Sequence, residues 1–207
     1  MNFLRKVPAM ASDFHTHIPH PGKRELLNNG RGRGPLWSLS FHPWDTKEIP
    51  PLSFEEMKEC AALGEMGFDR YKSSDVSQEQ QLKIFRFLLE KAADFRKPVV
   101  LHWVGGYDKL FQLTAPFKEV NFLFHGYAKE SSGLLEELLR RNFYVSLSPR
   151  IITAGAVREF LKQNPGSRVG IESDDNENAE IEKLYDLINI PGFEEAADEH
   201  FGAFLNL

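Results

Sequence analysis

The chain has 207 residues, of which 42% are hydrophobic, 12% aromatic and 27% charged, proportions that exclude a disordered or fibrous protein. With 25 basic and 30 acidic residues the formal net charge is −5, which argues against sequence-independent binding of nucleic acid across a broad basic surface. A single cysteine, Cys60, excludes an intramolecular disulfide and a four-thiolate metal site.

The sequence also suggests a location and a domain organisation. Residues 1–8 have no apolar stretch of the signal-peptide kind, and no window approaches the roughly 18 apolar residues of a membrane span. The lone cysteine fits a reducing compartment, so we expect a soluble, cytoplasmic protein with no membrane contact and no stable protein partner. Glycines and prolines are scattered at element ends, which predicts one domain over residues 1–207.

Short apolar runs alternate with segments of helical period, the pattern of βα units around a parallel sheet. Seven strands are predicted, at residues 11–15, 36–41, 61–66, 98–103, 121–125, 143–147 and 168–172. The clearest helix covers residues 77–95 behind a Ser77-x-x-Gln80 capping box. Further helices are predicted after Ser53 and around residues 134–139, 154–161, 181–188 and 193–204.

A glycine- and arginine-rich segment, residues 19–35, follows the first strand and is predicted to be a loop. Its glycines would let the backbone approach a phosphate, and Arg31 and Arg33 could pair with one. The same composition is common in plain surface loops. An anion cradle and a solvated loop are therefore both open interpretations.

Histidines cluster at the ends of the predicted strands. His15 and His17 are two residues apart in an extended segment, so their side chains leave the same face and could chelate one ion. His102 and His125 each follow an apolar strand in the same way. Because the carboxyl ends of barrel strands meet on one face, we expect these imidazoles to converge.

Two carboxylates complete the predicted cluster. Glu65 lies within an apolar, strand-like run, where a buried charge needs compensation, and Asp174 follows the last strand two residues after Glu172. Nitrogen and oxygen donors without sulfur suit Zn²⁺, Mn²⁺, Ni²⁺ or Mg²⁺. Six ligands favour two ions roughly 3.5 to 4 Å apart, with Glu65 bridging them and Asp174 taking a proton from water. Such a centre hydrolyses esters, phosphodiesters above all, although amides and lactones use similar ions.

Other hydrolytic signatures are missing from the sequence: it has no GxSxG elbow, no phosphate-binding P-loop and no HExxH motif. His42, in the segment Phe41-His42-Pro43-Trp44-Asp45, lies on the predicted catalytic face. It could contact substrate or be an ordinary residue at a strand end.

The order of these motifs resembles the TatD family of metal-dependent hydrolases, phosphodiesterases of the amidohydrolase superfamily with a TIM-like barrel. The similar segments are DFHTH, SFHPWD, GEMGFDRY, PVVLHW, FLFHGY and GIESDD, which match the family patterns DxHxH, GxHPH, GExGLDY, PVxxH, HCFSG and ETDxP. The resemblance implies that His15, His17, Glu65 and Asp174 hold one divalent ion, and that Glu65, His102 and His125 hold the second. Since the family includes deoxyribonucleases, DNA ends become the leading substrate.

The chain also departs from the family pattern. About one β/α unit is missing between HxH and HP, so the resemblance implies a barrel of about seven strands. The family's HxR reads His102-Trp103-Val104 here, which removes an expected phosphate-contacting arginine. The candidate substitutes are Arg31, Arg33, Arg70 and Arg150. Two other functions stay open: a hydrolase of a small-molecule ester, amide or lactone, and a degenerate barrel that binds metal without catalysis.

Overall fold

A computed structural model describes residues 11–72 and 75–207, and eight parallel strands among them close into a barrel. The strands are β1 (Ser12–Thr16), β2 (Arg24–Asn28), β3 (Trp37–Leu39), β4 (Ala62–Asp69), β5 (Val99–Val104), β6 (Phe122–Tyr127), β7 (Tyr144–Leu147) and β8 (Val169–Ile171). Their order around the barrel is their order along the chain, and β8 closes on β1 by pairing Ile171 with Asp13. The predicted TIM-like barrel is confirmed.

From β3 onward, helices separate the strands as the alternation predicted. They are α1 (Phe54–Glu59), α2 (Gln78–Phe95), α3 (Tyr107–Thr114), α4 (Gly133–Arg140), α5 (Gly155–Gln163), α6 (Ile181–Ile188) and α7 (Phe193–Leu205), with a 3-10 turn at Pro149–Ile151. The predicted capping box of α2 is present: Ser77 accepts from the Gln80 amide, and the Gln80 side chain accepts from the Ser77 amide. Helix α3 was not predicted, since its N-cap is Gly106, which offers no capping side chain. In the described part of the chain no helix has the length and apolarity needed to cross a membrane.

The prediction of seven strands is wrong by one. Segment 19–35, predicted to be a loop, contains β2. The remaining residues of the segment form neither a helix nor a strand. What the described chain lacks is a helix between β1 and β2 and another between β2 and β3. A five-residue strand with two central leucines, Leu26 and Leu27, among glycines, prolines and arginines gives too short an apolar run to be recognised.

Loop and terminal segments cover the barrel wall where those helices are missing. Residues after β2 fold back against Leu27, so tightly that a Cβ at Gly30 would lie 2.5 Å from the leucine side chain. Helix α7 covers β1: Ser12 Oγ donates to Asp198 Oδ1 at 2.6 Å, and the rings of Phe14 and Phe201 pack edge to face at 5.3 Å. Helix α7 thus covers β1, which has no helix between it and β2.

Strands β4 and β5 approach each other unusually closely. A Cβ at Gly64 would lie 2.1 Å from the Val100 carbonyl oxygen, and one at Gly67 would lie 2.1 Å from that of His102. Both glycines also have positive φ, 115° and 150°, which side-chain-bearing residues rarely adopt. These two glycines bring Glu65, which lies between them, toward His102 of the neighbouring strand.

Candidate metal centre

The structure brings the six predicted ligands together at the carboxyl end of the barrel. Three sets of ligand atoms each lie within 4.8 Å of one another. These sets are His15, His17, Glu65 and Asp174; His42, Glu65 and His102; and His125, Glu172 and Asp174. They share Glu65 and Asp174, so they form one continuous cluster. His42, expected to contact substrate or to be an ordinary residue, stands among the possible ligands.

Glu65 lies at the centre of this cluster, and its two oxygens face different histidines. Oε1 is 2.8 Å from Nε2 of His15 and 2.9 Å from Nε2 of His17. Oε2 is 3.2 Å from Nε2 of His42, 3.6 Å from Nε2 of His125 and 3.7 Å from Nδ1 of His102. The carboxylate therefore separates two groups of imidazoles, which is the arrangement that a bridging ligand requires.

The donor set fits divalent cations. Nε2 of His15 and Nε2 of His17 lie 3.3 Å apart beside the same carboxylate oxygen. Among the described residues, buried His102 Nε2, His125 Nδ1 and Glu172 Oε1 have no hydrogen-bond partner. Burying an imidazole or carboxylate atom without a hydrogen-bond partner destabilises the folded state, and a bound cation would compensate for it. Nitrogen and oxygen atoms converging on both sides of Glu65 suit Zn²⁺, Mn²⁺ or a similar ion.

Asp174 reaches the cluster because the chain turns after β8. Its φ is 56°, its amide donates to the His15 carbonyl at 3.0 Å, and its carbonyl accepts from the His17 amide at 2.9 Å. The Oδ1 atom then lies 3.5 Å from His17 Nε2. Glu172 points elsewhere: it accepts from Ser146 Oγ at 2.6 Å and lies 3.6 Å from His125 Nδ1. The shared face that the spacing predicted is interrupted by this turn, yet both carboxylates remain near His125.

The cluster shifts the pKa values of its members in opposite directions. Burial disfavours the charged form of His125, but the charges of Glu65 and Glu172 outweigh it and raise the pKa of His125 to about 10. Burial acts against Glu65 too, yet the charges of His125 and His15 hold the pKa of its carboxyl far below the usual range. Burial, with the charges of His125 and His42, lowers the pKa of His102 to about 3. Burial and the nearby Glu172 charge raise the pKa of Asp174.

Sequence reasoning missed several polar residues that lie beside the candidate ligands. Asp13 is buried, its Oδ1 accepts from the Ser173 amide at 3.0 Å, and burial raises its pKa to about 8. Asn28 lies on the unpredicted β2, with its Nδ2 3.4 Å from Nδ1 of His17. Asp69 Oδ2 lies 3.6 Å from Nε2 of His102. Asp13 and Asp69 stand inside the DFHTH and GEMGFDRY segments, so the motif spacing offered a signal for them. Asn28 had none.

A cavity of about 500 Å³ opens over the cluster. It is lined by His17, Asn28, Asn29, Ser40, His42, Trp44, Asp45, Glu65, His102, His125, Asp174 and Asp175. Among these described lining residues there is no lysine or arginine. A second cavity, of about 400 Å³, adjoins it through Asp174 and Asp175 and is lined also by Arg150.

The four candidate arginines occupy different places. Arg31 pairs with Glu56 at 3.3 Å and with Glu59 at 2.8 Å, both on α1. Arg33 and Arg70 are exposed and do not line the cavity over the cluster. Arg150 is exposed and lines the adjoining cavity, so it is the candidate that shares a cavity with a predicted ligand, Asp174.

Comparisons with known proteins agree with this geometry. The barrel is similar to the crystal structure of a TatD homologue from Escherichia coli, with a TM-score of 0.75 and 14% identity over 96% of this chain and 99% of that one. It is also similar to a TatD family hydrolase from Entamoeba histolytica, with a TM-score of 0.70 and 12% identity over 94% and 97% of the two chains.

Among curated proteins, the human 3′-5′ RNA nuclease TATDN2 is 28% identical over 120 residues, or 56% of this chain and 16% of the relative. An uncharacterized metal-dependent hydrolase from Methanocaldococcus jannaschii is 27% identical over 118 residues, or 54% and 45% of the two chains. The chain thus spans less than half the length of either relative. The TatD related DNase family matches residues 27–183, which is most of the sequence, and this chain belongs to that family.

Proposed function

We propose that this barrel is a two-metal hydrolase that cleaves phosphodiester bonds. The observation that carries the proposal is the position of Glu65, with His15 and His17 beside one oxygen and His42, His125 and His102 beside the other. A carboxylate placed between two groups of imidazoles is what a pair of ions flanking one phosphate needs. The single Cys60 is the support for placing this activity in the cytoplasm.

The residues divide into two ligand groups and a proton acceptor. His15, His17 and Asp174 would hold one ion, and His102 and His125 the other, with Glu65 shared. Two such ions supply activation of water and stabilisation of the charge that develops on the phosphate. His42 lies within reach of the second group and would complete it or hold its carboxylate.

Asp174 is suited to accept the proton of the attacking water. Its side chain is 38% exposed at the cavity, unlike the fully buried Glu172. In the absence of metal, burial and the Glu172 charge raise the pKa of Asp174. Asp13, from β1, and the Ser173 amide, after β8, bind each other and so hold the strands that carry His15 and Asp174.

The substrate that best fits is a nucleic acid end. The family carries the name DNase and the human relative is named an RNA nuclease, so a phosphodiester of DNA or RNA is the first choice. Arg150, in the cavity that adjoins Asp174, is positioned to contact substrate phosphate. A chain terminus is favoured over a long duplex as substrate, because a net charge of −5 argues against a broad basic surface that would bind a duplex.

Cleavage of bis-p-nitrophenyl phosphate tests the proposal. Purified protein is stripped with EDTA and assayed with and without added Mn²⁺, Zn²⁺ or Mg²⁺. We expect activity only with a divalent ion, and loss of that activity in the Asp174→Asn variant. Cleavage that persists in excess EDTA would contradict the proposal.

One observation favours a second function. The described residues that line the cavity include no lysine or arginine, which suits a small uncharged ester, amide or lactone. A panel of p-nitrophenyl esters and lactones, assayed beside the phosphodiester under the same metal conditions, separates the two functions. A higher kcat/KM for any carboxylic ester than for bis-p-nitrophenyl phosphate would favour the small-molecule hydrolase.

A further inference from the structure

The proposed function leaves the charge of a polynucleotide unmatched. The cavity over the cluster is lined by Asp45, Asp174 and Asp175, and by no lysine or arginine among the described residues. The segment His102-Trp103-Val104 also lacks the arginine that the family pattern carries. Phosphates that flank the cleaved bond therefore need a cation from the rim of the cavity.

Trp44 forms a fixed part of the cavity wall. Its indole Nε1 donates to Asp69 Oδ2 at 3.0 Å. Its rings also pack edge to face with His42, at 4.6 Å between centroids, and with His102, at 5.3 Å. Three contacts hold the indole beside two of the possible metal ligands, so a group placed over it stands next to the metal cluster.

Lys72 is the group that lies over it. Its Nζ is 4.0 Å from the centre of the Trp44 ring, a cation–π contact. Its amide donates to Asp69 Oδ1 at 3.1 Å, and its carbonyl accepts from Gln81 Nε2 at 2.9 Å. The same buried carboxylate, Asp69, therefore anchors both the indole and the lysine backbone. The lysine side chain is exposed, and within the described residues no carboxylate lies at ion-pair distance from Nζ.

We propose that Lys72 binds a phosphate of the nucleic acid next to the cleaved phosphodiester, with Trp44 as the positioning residue that holds the ammonium at the rim. The inference rests on the proposed function and names the contact that replaces the missing arginine. Arg31 is already neutralised by Glu56 and Glu59. Lys72 follows β4, whereas Arg150 follows β7, so the two cations lie after different strands of the barrel.

A matched pair of lysines makes the test specific. Lys58 has the same kind of contact, with Nζ 4.3 Å from the centre of the Phe54 ring. Phe54 lies on α1 and does not line the cavity, whereas Trp44, the ring under Lys72, does. Lys72→Met and Lys58→Met therefore each remove one exposed ammonium from an aromatic ring. Only Lys72→Met removes it beside the metal cluster.

The measurement is binding of a short fluorescein-labelled single-stranded oligothymidylate, followed by fluorescence anisotropy in EDTA over a series of salt concentrations. For Lys72→Met we expect a Kd about fivefold weaker and a salt slope smaller by about 0.7, because one phosphate contact is lost. Lys72→Arg keeps the slope, and Lys58→Met matches the wild type. Trp44→Leu, which leaves the ammonium but frees it, weakens binding without changing the slope.

A steady-state assay with metal adds a second readout. Lys72→Met raises KM for the oligonucleotide with little change in kcat, and its loss of kcat/KM is larger for the oligonucleotide than for bis-p-nitrophenyl phosphate, which has no neighbouring phosphate. An unchanged salt slope for Lys72→Met, or no binding of the oligonucleotide by the wild type, overturns the inference. Since binding is measured without metal, failure to cleave any phosphodiester would refute the proposed function and leave this test intact.

Discussion

The two halves of the barrel are built differently, yet both contribute to the candidate centre. We call β1 to β3 the helix-poor half and β4 to β8 the helix-rich half. In the helix-poor half the strands have five, five and three residues, with no helix between them in the described chain. In the helix-rich half, β4 and β5 have eight and six residues and helices cover them.

Both halves nevertheless supply candidate ligands. His15 and His17 come from the helix-poor half, whereas the others come from the helix-rich half: Glu65, His102, His125 and Asp174. A strand in the correct register is therefore enough to position a candidate ligand, even where no helix follows that strand. The two halves meet at β4, which carries Glu65. Ions bound at Glu65 would therefore connect the strands that have no helices between them to the strands that do.

Removing the charge of Glu65, the carboxylate shared by the two proposed metal sites, should reduce activity more than any other change considered. Glu65→Gln keeps the shape of the side chain but removes its charge, so we expect kcat for bis-p-nitrophenyl phosphate to fall by about three orders of magnitude. Circular dichroism should show that the barrel is still folded. Retention of a tenth or more of the wild-type rate would contradict a bridging role.

Metal should stabilise the helix-poor half more than the helix-rich half. A ligand at 100 times its Kd stabilises the state that binds it by about 2.7 kcal/mol. Since the described chain has no helix between β1 and β2 or between β2 and β3, we expect the added protection from hydrogen exchange to concentrate at β1 and β2, with little change at β5 and β6. Mass-spectrometric hydrogen exchange with and without Mn²⁺ measures this difference, and equal gains in both halves would count against it.

Metal affinity should rise with pH. The pKa of His125 is raised to about 10, so below that pH the imidazole carries a proton that a metal must displace. One displaced proton gives an apparent association constant that increases about tenfold per pH unit between roughly pH 6 and 9. Isothermal titration with Zn²⁺ in buffers of different pH checks the slope, which should become smaller in His125→Gln. A flat profile in the wild type would show that this proton is not displaced.

The smallest expected changes are those of the arginine variants, which should distinguish an arginine that contacts substrate from one that does not. Arg150→Ala should lower kcat/KM for a single-stranded oligonucleotide about tenfold, since it would remove the proposed contact with a substrate phosphate. Arg31→Ala, which breaks only exposed ion pairs with α1, should change stability by about 0.5 kcal/mol or less. Equal losses of activity in the two variants would reject the substrate role of Arg150.

The sequence was most informative where a strand ends in a chemically distinctive residue. Barrel topology requires that residues at such strand ends converge. This holds for the candidate ligands that follow an apolar run, and for Glu65, which lies within one: His15, His17, Glu65, His102, His125 and Asp174. It was least informative for β2, because a five-residue strand between arginine-rich turns has no usable period. Asn28 was missed for that reason.

Side-chain partnerships across the barrel were also beyond the sequence. Trp44 and Lys72 are far apart along the chain, and they meet where the buried Asp69 carboxylate binds both and the Lys72 ammonium lies over the indole. The position of His42 beside Glu65 depends likewise on how the loop after β3 folds over β4. Arg31 forms ion pairs with Glu56 and Glu59 on α1. The local sequence around Arg31 does not show that it would pack against this helix.

The central claim is that Glu65 joins two metal sites, and counting bound metal tests it most directly. Wild-type protein and Glu65→Gln would be saturated with Mn²⁺ or Zn²⁺, freed of excess ion by gel filtration and analysed for metal by mass spectrometry. We predict nearly two equivalents in the wild type and one or fewer in the variant. A single equivalent in the wild type, or two in both proteins, would contradict a bridged two-ion centre.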